Sequence, residues 1–196
     1  MGGDRAPQIV IEGADIIAST NPDVHFMLFG DEKKMMPIIQ NCRNLKDRYT
    51  IRHTEDFVSA DEKPSIALRR CTNSSMRLAI DSVKNSESDV VISAGKTGAL
   101  MAIAKVVLRP LDSISRPAIV TSIPNQKKKA TVMLDIGANI DCNVEVLYQF
   151  AVMGHAFARV VLQIPNPKIG ILNVGSEELK GHEEIQNAAA LLKESY

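Results

Sequence analysis

The sequence predicts an α/β fold, with a mixed, mostly parallel sheet, helices on both faces and a β-hairpin arm. Three observations carry that expectation. Four short apolar runs are each followed by a Gly-containing turn and a helical pattern. Two further apolar runs are joined by a short polar connection. A chain of 196 residues, 45% hydrophobic and 23% charged, suits one compact domain or two small ones, and a single domain spanning residues 1–196 is the expectation.

The elements follow in order. The opening MGGDRAP is a turn cluster, after which Ile9, Ala14, Ile17 and Ala18 recur at helical spacing. An α/β unit starts with a strand, so a first strand is expected to be absent. Val24–Phe29 reads as a strand leading through Gly30 into a helix over Glu32–Cys42, which Pro37 keeps short or kinked. Val90–Ser93 reads as a strand before AGKTG and a helix over Ala99–Leu108. Ala118–Ser122 and Ala130–Leu134, joined through IPNQKKK, read as the hairpin, with Lys127, Lys128 and Lys129 at its solvated tip or forming a docking patch for an acidic partner. Thr131–Leu134 then leads through DIGANIDC to a long helix, in which Leu147, Phe150, Ala151, Gly154, Phe157, Ala158 and Val161 form one apolar stripe. Lys168–Asn173 reads as a strand before VGSEELKG, and Glu183–Tyr196 as a final amphipathic helix without a stop signal. Both ends give the expectation of a piece of a longer protein.

Composition narrows the function. Lys plus Arg and Asp plus Glu are each 23, so no net charge draws the chain to nucleic acid or to an anionic membrane. With no Trp, 5 Phe and 3 Tyr, aromatic platforms for stacking bases are scarce, and nucleic acid is not an expected partner. Cys42, Cys71 and Cys142 form no CxxC pair and read as free thiols of a cytoplasmic protein. No apolar run approaches the roughly 18 residues of a spanning helix, so a soluble protein is expected.

Ligands of α/β sheets gather beyond the carboxyl ends of the strands, which here selects four glycine-rich loops: MGGD, SAGKTG, DIGANIDC and NVGSEELKG. Glycine lets backbone approach a ligand, and amides converging at a helix start favour an anion. The expected ligand is phosphate-like. Gly95, Lys96 and Thr97 spell the end of a P-loop, but GxxxxGK[ST] needs glycine where Val90 stands, and too little chain separates the apolar run from Gly95 to wrap phosphates. His182, Glu183 and Glu184 are followed by Gln186 rather than a second histidine, so no metal is expected. No GxSxG elbow occurs, and Cys142 reads as a packed thiol or, as a rival, an acyl-accepting thiolate.

Taken together, MGGDRAP, DEKPSIALR, SSMRLAID, SAGKTGALMA, LDIGANIDC, QFAVMGHAFAR and NVGSEELKGHE resemble, in order and spacing, the phosphate acyltransferase family PlsX of bacterial phospholipid synthesis. The resemblance spans nearly the whole chain. It implies a fold similar to isocitrate and isopropylmalate dehydrogenases, a first strand before MGGD, and a C-terminal section past Tyr196 linked to dimer contacts and membrane association. It also implies transfer of a fatty acyl group from acyl carrier protein to inorganic phosphate, with no cofactor, in a homodimer. Lys96 stands where the family usually shows Asn, Arg5 for His, Ser176 for an acidic residue and His182 for Asn.

Phosphate is already a nucleophile and a thiol is a good leaving group, so the chemistry asks mainly for placement and oxyanion stabilisation. Within the resemblance, amides around Ser93, Gly95, Thr97 and Gly98, with Lys96, are the expected phosphate binders, and Gly2, Gly3, Asp4 and Gly175 lie in the other substrate-site loops. Lys180 is the expected cation at the oxyanion or phosphate; its alternative is a solvated helix-start lysine. Asn139 is expected to donate to the carbonyl, while Asp135 and Asp141 orient donors or simply cap loops. A non-catalytic anion-binding fragment and a P-loop-like nucleotide binder are the competing readings. A dehydrogenase would need a metal-binding acid cluster and a nucleotide loop, and neither can be assigned.

Overall fold

The computed structural model describes residues 1–175, 177 and 180–195. These residues are α/β in composition and divide into two compact units, Met1–Arg109 and Pro110–Tyr196.

In the first unit, α1 (Gln8–Thr20) leads to β1 (Phe26–Gly30), α2 (Glu32–Ile39) and β2 (Tyr49–His53). β1 and β2 pair in parallel from Phe26↔Tyr49 to Gly30↔His53. Asp31 caps α2 by accepting from the Lys33 amide at 3.0 Å, and Pro37 lies inside the helix, which ends at Ile39 rather than running to Cys42. The Arg48 guanidinium donates to the carbonyls of Ala18, Asn21 and Val24, satisfying the end of α1. Ile11, Ala18, Leu28, Met35, Ile39 and Leu45 close the core around this pair.

The unit continues with α3 (Pro64–Arg70), α4 (Ser75–Lys84) and α5 (Thr97–Leu108). Pro64 occupies the first helical position of α3, where its missing amide hydrogen costs nothing, and Ser74 caps α4 through the Arg77 amide. A second core, built on Val58, Met76, Ile80, Ile103 and Val107, binds these helices together. Complete burial of a side chain such as Ile80 or Ile103 stabilises by about 2 kcal/mol.

The second unit holds the hairpin, β3 (Val120–Pro124) and β4 (Ala130–Leu134), antiparallel from Val120↔Leu134 to Pro124↔Ala130. Its first strand lies two residues later than the sequence predicts. Next come α6 (Val144–Val160), which packs on β4, and α7 (Glu183–Ser195), which packs on α6. Asn143 caps α6 by accepting from the Val146 amide at 3.0 Å. Buried Gln149 accepts from the Ser115 amide and hydroxyl and donates to Glu145, so its polar head is satisfied.

Two expected strands do not form ladders. Val90–Ser93 and Lys168–Asn173 alternate exposed and half-buried residue by residue, the period of a strand, yet neither pairs among the described residues. A strand exists only where a neighbour supplies acceptors and donors for its backbone, and among the described residues neither segment has one. The described residues therefore hold one parallel and one antiparallel pair, not a mostly parallel sheet.

Candidate functional site

In the first unit the fold brings MGGD against SAGKTG. A Cβ on Gly3 would lie 2.8 Å from the Ala94 carbonyl oxygen, and one on Gly2, whose φ is +93°, would lie 2.6 Å from the Val58 carbonyl oxygen. Only glycine permits both approaches. The segment Val58–Ala60 is also held at its end, because the Lys96 ammonium donates to the Ala60 carbonyl at 2.7 Å. Ser93 Oγ accepts from the Gly95 amide at 3.1 Å, so that amide is already engaged and the turn is pinned ahead of the helix. α5 then starts at Thr97 with no side-chain cap, leaving its first-turn amides at the exposed surface of Thr97 and Gly98. Gly98 passes the first residue of α3 closely, with Pro64 Cγ at 3.2 Å from the position of a Cβ. Asp4 lies on the exposed side of its turn.

In the second unit Asp135 follows directly on β4 and organises the DIGANIDC loop. Its Oδ1 accepts from the Ile119 amide at 2.7 Å; its Oδ2 accepts from the amides of Ala138 at 2.9 Å and Asn139 at 2.7 Å, and from Asn139 Nδ2 at 3.2 Å. Burial pushes the carboxyl up, but these donors from Ile119, Asn139 and Ala138 outweigh it and hold the group below the ordinary carboxylate range. Asn139 also donates to the Pro117 carbonyl at 3.0 Å, so its side-chain amide is directed at protein acceptors. Asp141 is exposed, and its backbone carbonyl, not its carboxylate, accepts from Arg116 at 3.0 Å. Cys142 is a half-buried thiol raised by its burial and by Asp135, with Arg116 opposing and Asp141 adding. A raised thiol is a poor nucleophile near neutrality.

Lys180 stands at the end of the glycine-rich loop before α7. Its stem folds back over Gly175, where a Cβ would meet Lys180 Cγ at 3.1 Å, and its carbonyl accepts from Asn173 Nδ2 at 2.8 Å. Gly181, at φ +87°, gives the Asn173 side chain the room it needs. Among the described residues the exposed Lys180 ammonium has no carboxylate partner. Ser176, a departure noted in the sequence, lies outside the described residues. His182 begins the turn into α7, its carbonyl accepting from Ile185 and Gln186, and Arg5 does the same for Ile9 at the start of α1.

Sequence reasoning does not single out Ala60, Val58 or Asn173, although each holds a loop in place. Asn173 carries a readable signal, an Asn closing an apolar run ahead of glycine. Ala60 and Val58 act through backbone carbonyls and carry none. A cavity of about 280 Å³ in the first unit is lined by Phe29, Arg52, His53, Leu78 and Asp81, and by no residue of MGGD or SAGKTG. Among the described residues no group of three or more His, Cys, Asp or Glu stands ready to hold a metal, and no helix is long and apolar enough to cross a membrane.

Comparison with known proteins decides the family. The family model described as "Fatty acid synthesis protein" matches residues 1–196. The chain belongs to that family. Among relatives of the fatty acid synthesis protein family, the chain is 50% identical over 195 residues to the phosphate acyltransferase of Rhodospirillum centenum, covering 100% of this chain and 55% of the relative. It is 46% identical to the phosphate acyltransferase of Ehrlichia canis, covering 100% of this chain and 59% of the relative. It is also 46% identical to that of Paramagnetospirillum magneticum, covering 100% and 56%. The chain thus spans a little over half the length of these relatives.

Proposed function

We propose that this protein transfers a fatty acyl group from acyl carrier protein to inorganic phosphate, yielding acyl phosphate for phospholipid synthesis. The observation that carries the reading is the glycine-only contact of MGGD with SAGKTG beside the uncapped start of α5. Two close-packed turns opening on unsatisfied helix amides form a site for a small, oxygen-rich anion. The family match and the relatives' name support the choice of phosphate and of acyl transfer.

A phosphate oxygen attacks the thioester carbonyl carbon, forming a C–O bond; the tetrahedral oxyanion collapses, the C–S bond breaks, and the departing thiolate takes up a proton from solvent. In the first unit, the amides at Thr97 and Gly98 hold phosphate, with the Ser93–Gly95 turn and Lys96 keeping their geometry. Within the second unit, Lys180 is read as a cation available to an anionic oxygen at its own glycine-rich loop. Asp135 fixes Asn139 and its loop, a positioning role, and Asp141 presents a solvated carboxylate. No acyl-cysteine is needed, and the raised Cys142 thiol supports direct attack by phosphate.

We extend the reading to a cytoplasmic homodimer with peripheral membrane contact. The sheet of the whole protein is read as mixed and mostly parallel, of the isocitrate dehydrogenase type, which the parallel β1–β2 pair and the two strand-period segments support.

The test is release of free thiol from acyl-carrier thioester on addition of phosphate, with wild type and Lys180→Ala in a full-length context. Strong phosphate-dependent release that Lys180→Ala lowers at least tenfold, with folding unchanged, is expected. Phosphate binding without release would leave the anion-binding reading in its place.

A further inference from the structure

We infer that the β3–β4 hairpin tip, Lys127, Lys128 and Lys129, is a docking site for an acidic surface of the carrier protein that delivers the thioester. The inference rests on the proposed acyl transfer and names the surface that recognises the donor. In a protein whose 23 basic and 23 acidic residues balance, three consecutive exposed lysines are a local concentration of like charge. No ion pair among the described residues relieves it.

The tip is built rather than loose. Asn125 Oδ1 accepts from the Lys127 amide at 3.0 Å and the Lys129 amide at 3.1 Å, while Asn125 Nδ2 reaches Thr131 Oγ1 at 3.3 Å. Backbone bonds from Lys128 to the Asn125 carbonyl and from Asn125 to the Lys129 carbonyl close the turn. Lys128 has φ +57°, a left-handed conformation that glycine would adopt with less strain, so a charged side chain occupies a position where the backbone alone favours none. Three ammonium groups held on a fixed turn suit a surface of opposite sign, and such complementarity raises encounter rates and fixes orientation. Ile123, 41% exposed at the base of the tip, adds an apolar contact beside the charges.

Placement gives the docking a purpose. β4 runs from the tip straight into Asp135, and its five residues, at about 3.3 Å each, separate the lysines from the DIGANIDC loop by roughly 17 Å. A carrier seated on the tip would lie one strand length from that loop, a span suited to a flexible thioester-bearing arm. An anionic lipid surface is less favoured, because the tip exposes only Ile123 and Pro124 as apolar neighbours and no aromatic side chain.

The experiment measures binding of fluorescently labelled acyl carrier protein to the full chain, wild type against a Lys127→Glu, Lys128→Glu, Lys129→Glu triple variant, at low and at high salt. Circular dichroism checks folding, and the turn bonds, being backbone and Asn125 bonds, survive the change. At least a tenfold loss of affinity in the variant, a matching loss for wild type at high salt, and restored binding of the variant with a carrier whose exposed acidic residues are changed to Lys are expected. In thiol-release assays the KM for the carrier-bound thioester should rise with kcat kept, while an acyl-pantetheine thioester is turned over equally by both proteins. Equal carrier affinity for the two proteins overturns the docking site, even if acyl transfer is active. Carrier binding that depends on the lysines without any thiol release upholds the docking site and overturns the acyl-transfer reading. Loss of binding to phosphatidylglycerol vesicles in the variant, with carrier affinity untouched, assigns the tip to lipid and overturns the inference.

Discussion

Gly3 sits where any Cβ would come within 2.8 Å of the carbonyl oxygen of Ala94, so the N-terminal turn and the turn before α5 touch backbone to backbone. Replacing Gly3 by Val should separate the two turns and destabilise the protein by about 1–3 kcal/mol, as overpacking does. Urea denaturation measures the stability, and calorimetric titration with phosphate should show binding weakened at least tenfold. Undiminished phosphate affinity would remove this contact from the anion site.

Asp135 gathers the amides of Ile119, Ala138 and Asn139 on one carboxylate. Asp135→Ala leaves those donors without an acceptor, and a loss of about 2 kcal/mol is expected from bonds to a charged group. The sign of the pH dependence follows from the lowered carboxyl. Its stabilising contribution is complete above the ordinary Asp value, about 4, and is lost as pH falls through the lower folded value. Denaturation curves between pH 7 and 2 should therefore show an acid-dependent loss in wild type that is smaller in Asp135→Asn.

Lys96 spends one ammonium hydrogen on the Ala60 carbonyl. Lys96→Met should lower phosphate affinity several-fold and speed amide hydrogen exchange over residues 58–60, since one change removes both the charge and the strut. Exchange rates that match wild type would show the strut to be dispensable.

The Cys142 thiol is raised by burial and by neighbouring Asp135. Its alkylation by iodoacetamide should rise with pH along a curve whose midpoint lies above that of a free cysteine thiol. Cys142→Ser should keep phosphate-dependent thiol release within about threefold, a change worth under 1 kcal/mol in the barrier. An inactive Ser variant together with a trapped acyl-cysteine would reverse the proposed order of attack.

The amphipathic helices α1, α5, α6 and α7 are legible in the sequence because each carries a periodic apolar stripe. α4 is less so, although Ser74 ahead of Met76 and Ile80 is a cap-and-stripe signal visible once sought. β2 hides because Tyr49–His53 mixes polar and apolar residues and is only half-buried. Val90–Ser93 and Lys168–Asn173 have a strand's composition, but pairing is a property of what lies alongside, which local pattern does not encode. In the MGGD turn, glycine is legible because the contacts of Gly2 and Gly3 are steric requirements of the residue itself. The partners they meet, Val58 and Ala94, act through carbonyl oxygens that every residue possesses, so their identity leaves no trace.

The unladdered run Val90–Ser93 has a practical consequence. Val90 and Ile92 point into solvent, 69% and 85% exposed, beside peptide groups with no sheet neighbour among the described residues. Such an edge recruits other chains. Concentrated solutions of this polypeptide should turn cloudy and bind thioflavin on standing, and a lysine in place of Ile92 should keep them clear.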